Sequence, residues 1–145
     1  MKRIAPLALA AALAGCTISG PISVPGGMAT DRAGIVYGQT VHGALEATDA
    51  RAEDESFYDA WFFSGRAGET VEITLESVEF DAFLVLGRMQ GGGEWTQLET
   101  NDDAGDQGTD SQIVFTLPED GEYVIRANSL SAGETGGYTL SLRRR

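Results

Sequence analysis

The sequence predicts an all-β domain, an antiparallel β-sandwich or jelly roll of about eight strands. The length of 145 residues fits one domain, and apolar residues alternate with polar residues along most of the chain after Ile35. Segments that contain Gly or Pro separate the alternating runs. Such alternation is typical of strands with one buried and one solvated face, and many short strands joined by turns pack as a sandwich.

The predicted strands follow from this alternation, segment by segment. In residues 70–76, Val71, Ile73 and Leu75 alternate with acids and threonines, so we expect these three side chains to face the core. The pattern predicts strands at residues 40–45, 58–64, 70–76, 82–86, 95–100, 111–117, 122–128 and 137–142. Turn signals lie between them at residues 65–68, 91–93 and 118–121.

The first fifteen residues have the pattern of a signal peptide. Lys2 and Arg3 precede an apolar run, Ile4–Ala14, which is shorter than the roughly 20 residues that a membrane-spanning helix needs. The following Leu13-Ala14-Gly15-Cys16 resembles the lipobox of bacterial lipoproteins. This resemblance implies cleavage before Cys16 and attachment of acyl chains such as palmitate to it. Two or more chains make membrane binding stable.

The residue after the cysteine bears on the membrane in which the protein resides. Thr17 stands at this position rather than Asp, and its similarity to the sorting pattern of Gram-negative lipoproteins implies a lipid anchor in the outer membrane. Residues 16–34 are therefore predicted to be the lipidated cysteine and a flexible tether that contains Pro21 and Pro25. As a coil, the 18 residues that follow Cys16 span roughly 23 Å. The folded domain is predicted at residues 35–142, in the cell envelope and exposed either to the periplasm or at the cell surface.

The charge of the chain limits its partners. Asp and Glu number 22 and Lys and Arg number 10, which gives a net charge of -12. This balance argues against nucleic-acid binding, because neutralising phosphates requires a basic face. A cationic partner, a metal ion or simple solubility agrees better with the charge.

Four blocks of the predicted domain resemble the bacterial pre-peptidase C-terminal (PPC) domain. They are residues 57–71, residues 80–86 with Asn101-Asp102-Asp103, residues 117–123 and residues 133–140. The resemblance implies a jelly-roll-like β-sandwich of the kind appended to secreted proteases, which is not itself catalytic. Related domains in collagenases bind calcium or protein fibres.

An acidic segment, residues 99–110, is the candidate metal site. Calcium takes six to eight oxygen ligands, and a loop that contains Gly can fold carboxylates and carbonyls around it. The spacing does not match an EF-hand, and a solvated acidic turn is the alternative. With the resemblance to calcium-binding relatives, the predicted ligands are Asn101, Asp102, Asp103 and Asp110, joined by Asp81 if its strand end lies beside the loop.

Three other features are candidates for contact with a ligand or with lipid. Trp61 and Trp95 are predicted to contribute to an aromatic binding patch, although adjacent aromatic residues on a strand must point to opposite faces. His42, the one histidine, is expected at the surface. Residues 143–145 are predicted to be a solvated basic tail, with contact to anionic lipid as the alternative.

These observations predict a lipid-anchored, non-catalytic binding module of the cell envelope, stabilised by calcium, whose partner is an envelope protein or a polysaccharide. No motif for nucleophilic catalysis accompanies His42, and we expect no enzymatic activity. Two alternatives remain open. One is an envelope hydrolase that uses paired carboxylates, such as Glu76, Glu79 and Asp81, and the other is a structural spacer in an envelope complex.

Overall fold

The computed structural model describes residues 32–103 and 108–145, and these residues form two packed β-sheets. The predicted signal peptide, Cys16 and most of the predicted tether lie outside the described residues. Among the residues that are described, no helix is long and apolar enough to cross a membrane. The strands are β1 (Ala33–Gly34), β2 (Gln39–Leu45), β3 (Ala50–Arg51), β4 (Phe57–Gly65), β5 (Thr70–Glu76), β6 (Ala82–Met89), β7 (Trp95–Asn101), β8 (Ser111–Thr116), β9 (Gly121–Ser129) and β10 (Gly136–Arg144), and a 3-10 turn lies at Gly91–Gly93.

The two sheets have simple strand orders. Sheet A runs β1-β4-β9-β6-β7, with β3 also paired to β4, and sheet B runs β2-β10-β5-β8. Among the described strands every pairing is antiparallel except that of β1 with β4, which is parallel. The predicted all-β sandwich is confirmed, and the eight predicted strands correspond to β2 and to β4 through β10.

The structure differs from the predicted boundaries at both ends of the domain. Ala33 and Gly34 pair with Trp61 and Phe62, so the folded part begins before Ile35. Two-residue strands such as β1 and β3 are too short to show alternation in the sequence. At the other end, the predicted basic tail of residues 143–145 is instead the end of β10 and the residue after it. Ion pairs with acids at the start of the adjacent strand β5 hold it in place, Arg144 with Glu69 and Arg145 with Glu72.

The core lies between the sheets and consists of the inward side chains of both. Val71, Ile73 and Leu75 are fully buried, as the alternation predicted. Gly65 is necessary for this packing, because a Cβ there would lie 2.3 Å from Leu117 Cδ1. The described core residues are Ile35, Leu45, Phe57, Phe63, Val71, Ile73, Leu75, Phe80, Ala82, Leu84, Leu86, Ile113, Leu117, Tyr123, Ile125, Ala127, Tyr138, Leu140 and Leu142.

Candidate functional site

One end of the sandwich carries half of the acidic residues of the chain. The registers place the ends of β2, β5, β7 and β9 here, together with the starts of β4, β6, β8 and β10. The joining segments hold five acids in 46–56, two in 77–81, three in the described part of 102–110 and one in 130–135, eleven of the chain's 22. Arg51 is the only Lys or Arg in the sequence of these segments. We call this end the acidic pole.

Hydrogen bonds between these segments brace the acidic pole. The Ser77 N–H donates to Asp110 Oδ1 at 3.2 Å, and its hydroxyl donates to the Gly137 carbonyl at 2.8 Å. The Thr109 hydroxyl donates to the Ser77 carbonyl at 2.8 Å, and the Thr109 carbonyl accepts a bond from the Ala82 N–H at 2.7 Å. The starts of three strands and the end of β5 are thereby tied together.

Two apolar side chains project from this charged surface. Val78 is fully exposed, with a relative accessibility of 101%, and Leu130 is 41% exposed. Both belong to segments of the acidic pole. Single exposed apolar side chains are common on protein surfaces, and these two would add buried area to an electrostatic attraction if a partner covered the pole.

The structure places the predicted calcium ligands near one another but uses several of them in other contacts. The strand end at Asp81 does lie beside the loop, since the next residue bonds to the Thr109 carbonyl. Asn101 donates from Nδ2 to the Gln112 carbonyl at 2.6 Å, and its Oδ1 accepts from the Asp103 N–H at 2.7 Å. Asp110 accepts a bond from Ser77, whereas Asp102 is exposed.

These residues alone do not make a calcium site. Within residues 32–103 and 108–145, no three His, Cys, Asp or Glu side chains are grouped so that they could hold a metal. Calcium needs six to eight oxygens, and residues 104–107, which include Asp106, lie outside the described residues. Calcium binding therefore stays a prediction.

A partly buried polar cluster lies between the sheets close to the acidic pole. The Tyr138 hydroxyl donates to Asp59 Oδ2 at 2.6 Å and accepts from Trp61 Nε1 at 2.9 Å. Gly43 makes room for it, because a Cβ there would lie 2.4 Å from the Tyr138 hydroxyl oxygen. Asp59 is therefore an acid on the inner side of β4, where alternation predicts an apolar residue.

Burial shifts the pKa values of both partners in this cluster. Desolvation raises the pKa of Asp59, repulsion from Asp49 and Glu46 adds to the rise, and the bond from Tyr138 opposes it. Burial and the bond to Asp59 raise the pKa of Tyr138, so the phenol remains a hydrogen-bond donor. The negative field of the acidic pole thus extends to an inner side chain.

The two tryptophans predicted as one binding patch lie on opposite faces of sheet A. Trp61 packs against the core and pairs with the buried Ile125. Trp95 lies on the outer face, where its ring occupies the space above Gly87, since a Cβ there would be 2.2 Å from Trp95 Cε3. Trp61 is therefore structural, and the two rings do not form one patch.

The residues that could support a hydrolase have structural contacts. Glu79 Oε2 accepts a bond from the Gly137 N–H at 2.5 Å and so fixes the chain where β10 begins. His42 lies on β2 with Nδ1 3.1 Å from Thr139 Oγ1. In the described hydrogen bonds no carboxylate contacts His42, so its ring lacks the orienting acid of a catalytic triad.

The opposite end of the sandwich is balanced in charge by ion pairs. Glu69 accepts bonds from the Tyr37 hydroxyl at 2.8 Å and from the Arg66 N–H at 3.0 Å, and it pairs with Arg144 at 2.9 Å. The Arg66 N–H and the Tyr37 hydroxyl lower the pKa of Glu69. Of the five ion pairs among the described residues, four lie toward this end.

Comparison with known families agrees with this architecture. The family described as "Bacterial pre-peptidase C-terminal domain" matches residues 57–129, which is half of the chain and extends from β4 to the end of β9. The chain belongs to the bacterial pre-peptidase C-terminal domain family. Among curated proteins, none matches the chain significantly.

Solved structures with the same fold include a PPC domain. The pre-peptidase C-terminal domain of collagenase from Bacillus anthracis superposes with a TM-score of 0.54 and 18% identity, covering 77% of this chain and 94% of that one. PliG from Aeromonas hydrophila, a periplasmic inhibitor of g-type lysozyme, gives 0.57 and 16%, covering 79% and 96%. The Yersinia pseudotuberculosis-derived mitogen gives 0.51 and 18%, covering 74% and 85%. At these identities the likeness establishes the fold.

Two features of this PPC domain escaped the sequence analysis. The acidic pole was missed because its acids come from four segments that are distant in sequence, although the run Glu53-Asp54-Glu55 is visible in it. The Asp59–Tyr138 bond joins positions 79 residues apart. The acid within an aromatic-rich strand, between Tyr58 and Trp61, was the available signal for it.

Proposed function

We propose that this protein is a lipid-anchored, non-catalytic binding module of the bacterial cell envelope, and that its acidic pole binds a cationic protein. The PPC family and a sandwich fold shared with a periplasmic inhibitor support the module and its location. The lipid anchor rests on the pattern of residues 1–16 and on Cys16. The outer membrane follows from Thr17 by the same resemblance.

The single observation that carries the choice of partner is the segregation of charge. Eleven acids face one base in the described segments at one end, while the acids at the other end are largely paired with arginines. Clustered charge of one sign steers oppositely charged partners and raises association rates. The bond from Ser77 holds Asp110 in place, and the exposed Val78 beside Ser77 supplies an apolar contact among these acids.

Site-specific crosslinking in intact cells tests the proposal. A photoreactive amino acid replaces Val78 at the acidic pole or, as the matched control, Val36, a valine that is 67% exposed at the opposite end. We expect a protein adduct from position 78 and not from 36, and we expect the adduct to be a protein with a basic surface. A g-type lysozyme, the target named for the Aeromonas hydrophila neighbour, is a defined probe for the purified chain.

Charge variants show whether the attraction is electrostatic. The pole variant Glu46→Gln/Glu53→Gln removes two charges at the acidic pole, and Glu94→Gln/Glu122→Gln removes two elsewhere. We expect the pole variant to weaken the adduct and its binding to the purified partner, more strongly at low salt than at high salt. Equal effects of both variants, or equal adducts from both valines, would contradict the proposed site.

The two alternatives, a structural spacer and a hydrolase, predict different results. A structural spacer would yield one constant partner whose binding does not depend on the acids of the pole. A hydrolase would turn over members of a panel of peptides and glycans, with loss of turnover in Glu76→Gln or Asp81→Asn. For a non-catalytic binding module we expect no turnover of these peptides and glycans by the wild type or by any variant.

A further inference from the structure

The outer face of sheet A carries an arginine held between aromatic rings. Arg126 points outward, since its neighbours Ile125 and Ala127 are fully buried between the sheets. Its guanidinium carbon lies 3.9 Å from the ring centre of Trp95 and 4.3 Å from that of Tyr58. These contacts hold the guanidinium against the two rings on the outer face of the sheet.

The charge of Arg126 has no partner in the described parts of the chain. Five arginines there form ion pairs with carboxylates: Arg32, Arg51, Arg88, Arg144 and Arg145. Of the other three, Arg66 and Arg143 are exposed to water, whereas Arg126 is half-buried against the rings. Burial lowers its pKa, yet an arginine stays charged at neutral pH. The chain has 22 acids, so Arg126 lacks an ion pair because of where it lies on the surface and not because carboxylates are scarce.

A partly desolvated guanidinium gains free energy when an anion pairs with it. Its N–H groups lose water on the side of the rings, and a bidentate carboxylate restores hydrogen bonds in a fork geometry that an ammonium lacks. The surroundings are apolar, with Val85 and Val124 buried in the same face and Phe83 half-buried beside them. Trp, Tyr and Arg in one cluster are also the residue types that carry most binding energy at protein interfaces.

We propose that the outer face of sheet A binds a protein segment that presents an Asp or Glu carboxylate to Arg126 between apolar side chains. This inference rests on the proposed function as a binding module and adds a second contact surface to it. The net charge of -12 repels polyanions such as nucleic acids and phosphate-rich polymers, so a single carboxylate on an otherwise apolar segment suits this face best. The apolar neighbours favour a peptide over an acidic sugar, whose hydroxyl groups would lose hydrogen bonds with water there.

Binding of synthetic peptides to the full chain tests this assignment. The probes are peptides with a central Glu between leucines and phenylalanines, their counterparts with Gln in place of Glu, and uronic acid oligosaccharides. The variants are Arg126→Gln, Arg126→Lys and the matched control Arg66→Gln, which removes an exposed arginine from another surface. Melting temperatures check that each variant is folded.

We expect Glu peptides to bind about tenfold more tightly than their Gln counterparts. Arg126→Gln should abolish this preference, Arg126→Lys should reduce it because an ammonium cannot make the paired bonds, and Arg66→Gln should leave it unchanged. Equal binding of Glu and Gln peptides, no peptide binding at millimolar concentration, the same loss in Arg66→Gln, or Arg126-dependent binding of the oligosaccharides alone would each overturn the proposal. If crosslinking at Val78 fails while the Glu preference persists, the acidic pole is assigned wrongly and the sheet face stands.

Discussion

Removal of the Tyr138 hydroxyl should destabilise the domain more than the same change at any surface tyrosine. In Tyr138→Phe, the charged acceptor Asp59 loses the bond donated by the hydroxyl, worth about 1.5–3 kcal/mol, and the Trp61 N–H loses its acceptor, at a cost of about 1–3 kcal/mol. Water reaches Asp59 and offsets part of the first loss, so we expect a total of about 2–4 kcal/mol. That is a large fraction of the roughly 5–15 kcal/mol that stabilises a typical domain.

Thermal unfolding of the full chain, followed by circular dichroism, measures this effect. At about 4 °C per kcal/mol for a domain of this size, the melting temperature should fall by roughly 8–16 °C. The control is Tyr37→Phe, which also removes a hydroxyl that donates to a carboxylate, here that of Glu69. Glu69 keeps its bonds to Arg66 and Arg144, so this variant should lose only a few degrees.

The comparison of the two variants shows whether the hydrogen bonds among Asp59, Trp61 and Tyr138 stabilise the fold. Equal shifts for Tyr138→Phe and Tyr37→Phe, or a shift below about 2 °C for the former, would refute the reasoning. Tyr138→Phe should also cost less when combined with Asp59→Asn, because the acceptor is then neutral.

Three further results are expected. The pKa of Asp59 is raised in the folded state above its ordinary value of 3.8, so the contribution of Asp59 to the free energy of unfolding should fall as the pH rises through the window from 3.8 to the folded pKa. In urea titrations, the free energy of unfolding of Asp59→Asn minus that of the wild type should therefore be larger at pH 7 than at pH 3. The same difference at both pH values would contradict the raised pKa of Asp59. Calcium should raise the melting temperature beyond sodium at equal ionic strength, Asp102→Asn/Asp103→Asn should abolish the rise, and identical melting in calcium and chelator would leave the loop a solvated turn. Intact mass from a lipoprotein-competent host should show an acylated chain that begins at Cys16, whereas a Cys16→Ser variant still fully membrane-bound would contradict lipid anchoring.

The strands could be predicted from the sequence because their signal is local. Val71, Ile73 and Leu75 alternate with polar residues within one segment, and a half-buried strand needs no other information. The four blocks that resemble the PPC domain likewise lie in order along the chain, and the family match over residues 57–129 confirms the first three of them. The short strand β1 could not be predicted, because two residues carry no period.

The grouping of side chains at the acidic pole and around Arg126 depends on the tertiary structure. Glu53, Asp81 and Asp110 are far apart in the sequence, and they reach one end of the sandwich only because antiparallel strands reverse direction at each turn. Arg126 is in the same way an ordinary polar position of an alternating strand until β4 and β7 bring Tyr58 and Trp95 beside it. Alternation along a strand determines which side chains face the core, whereas strand order and register determine which outward side chains become neighbours. The charge and aromatic clusters proposed to bind partners therefore exist only in the folded sheet.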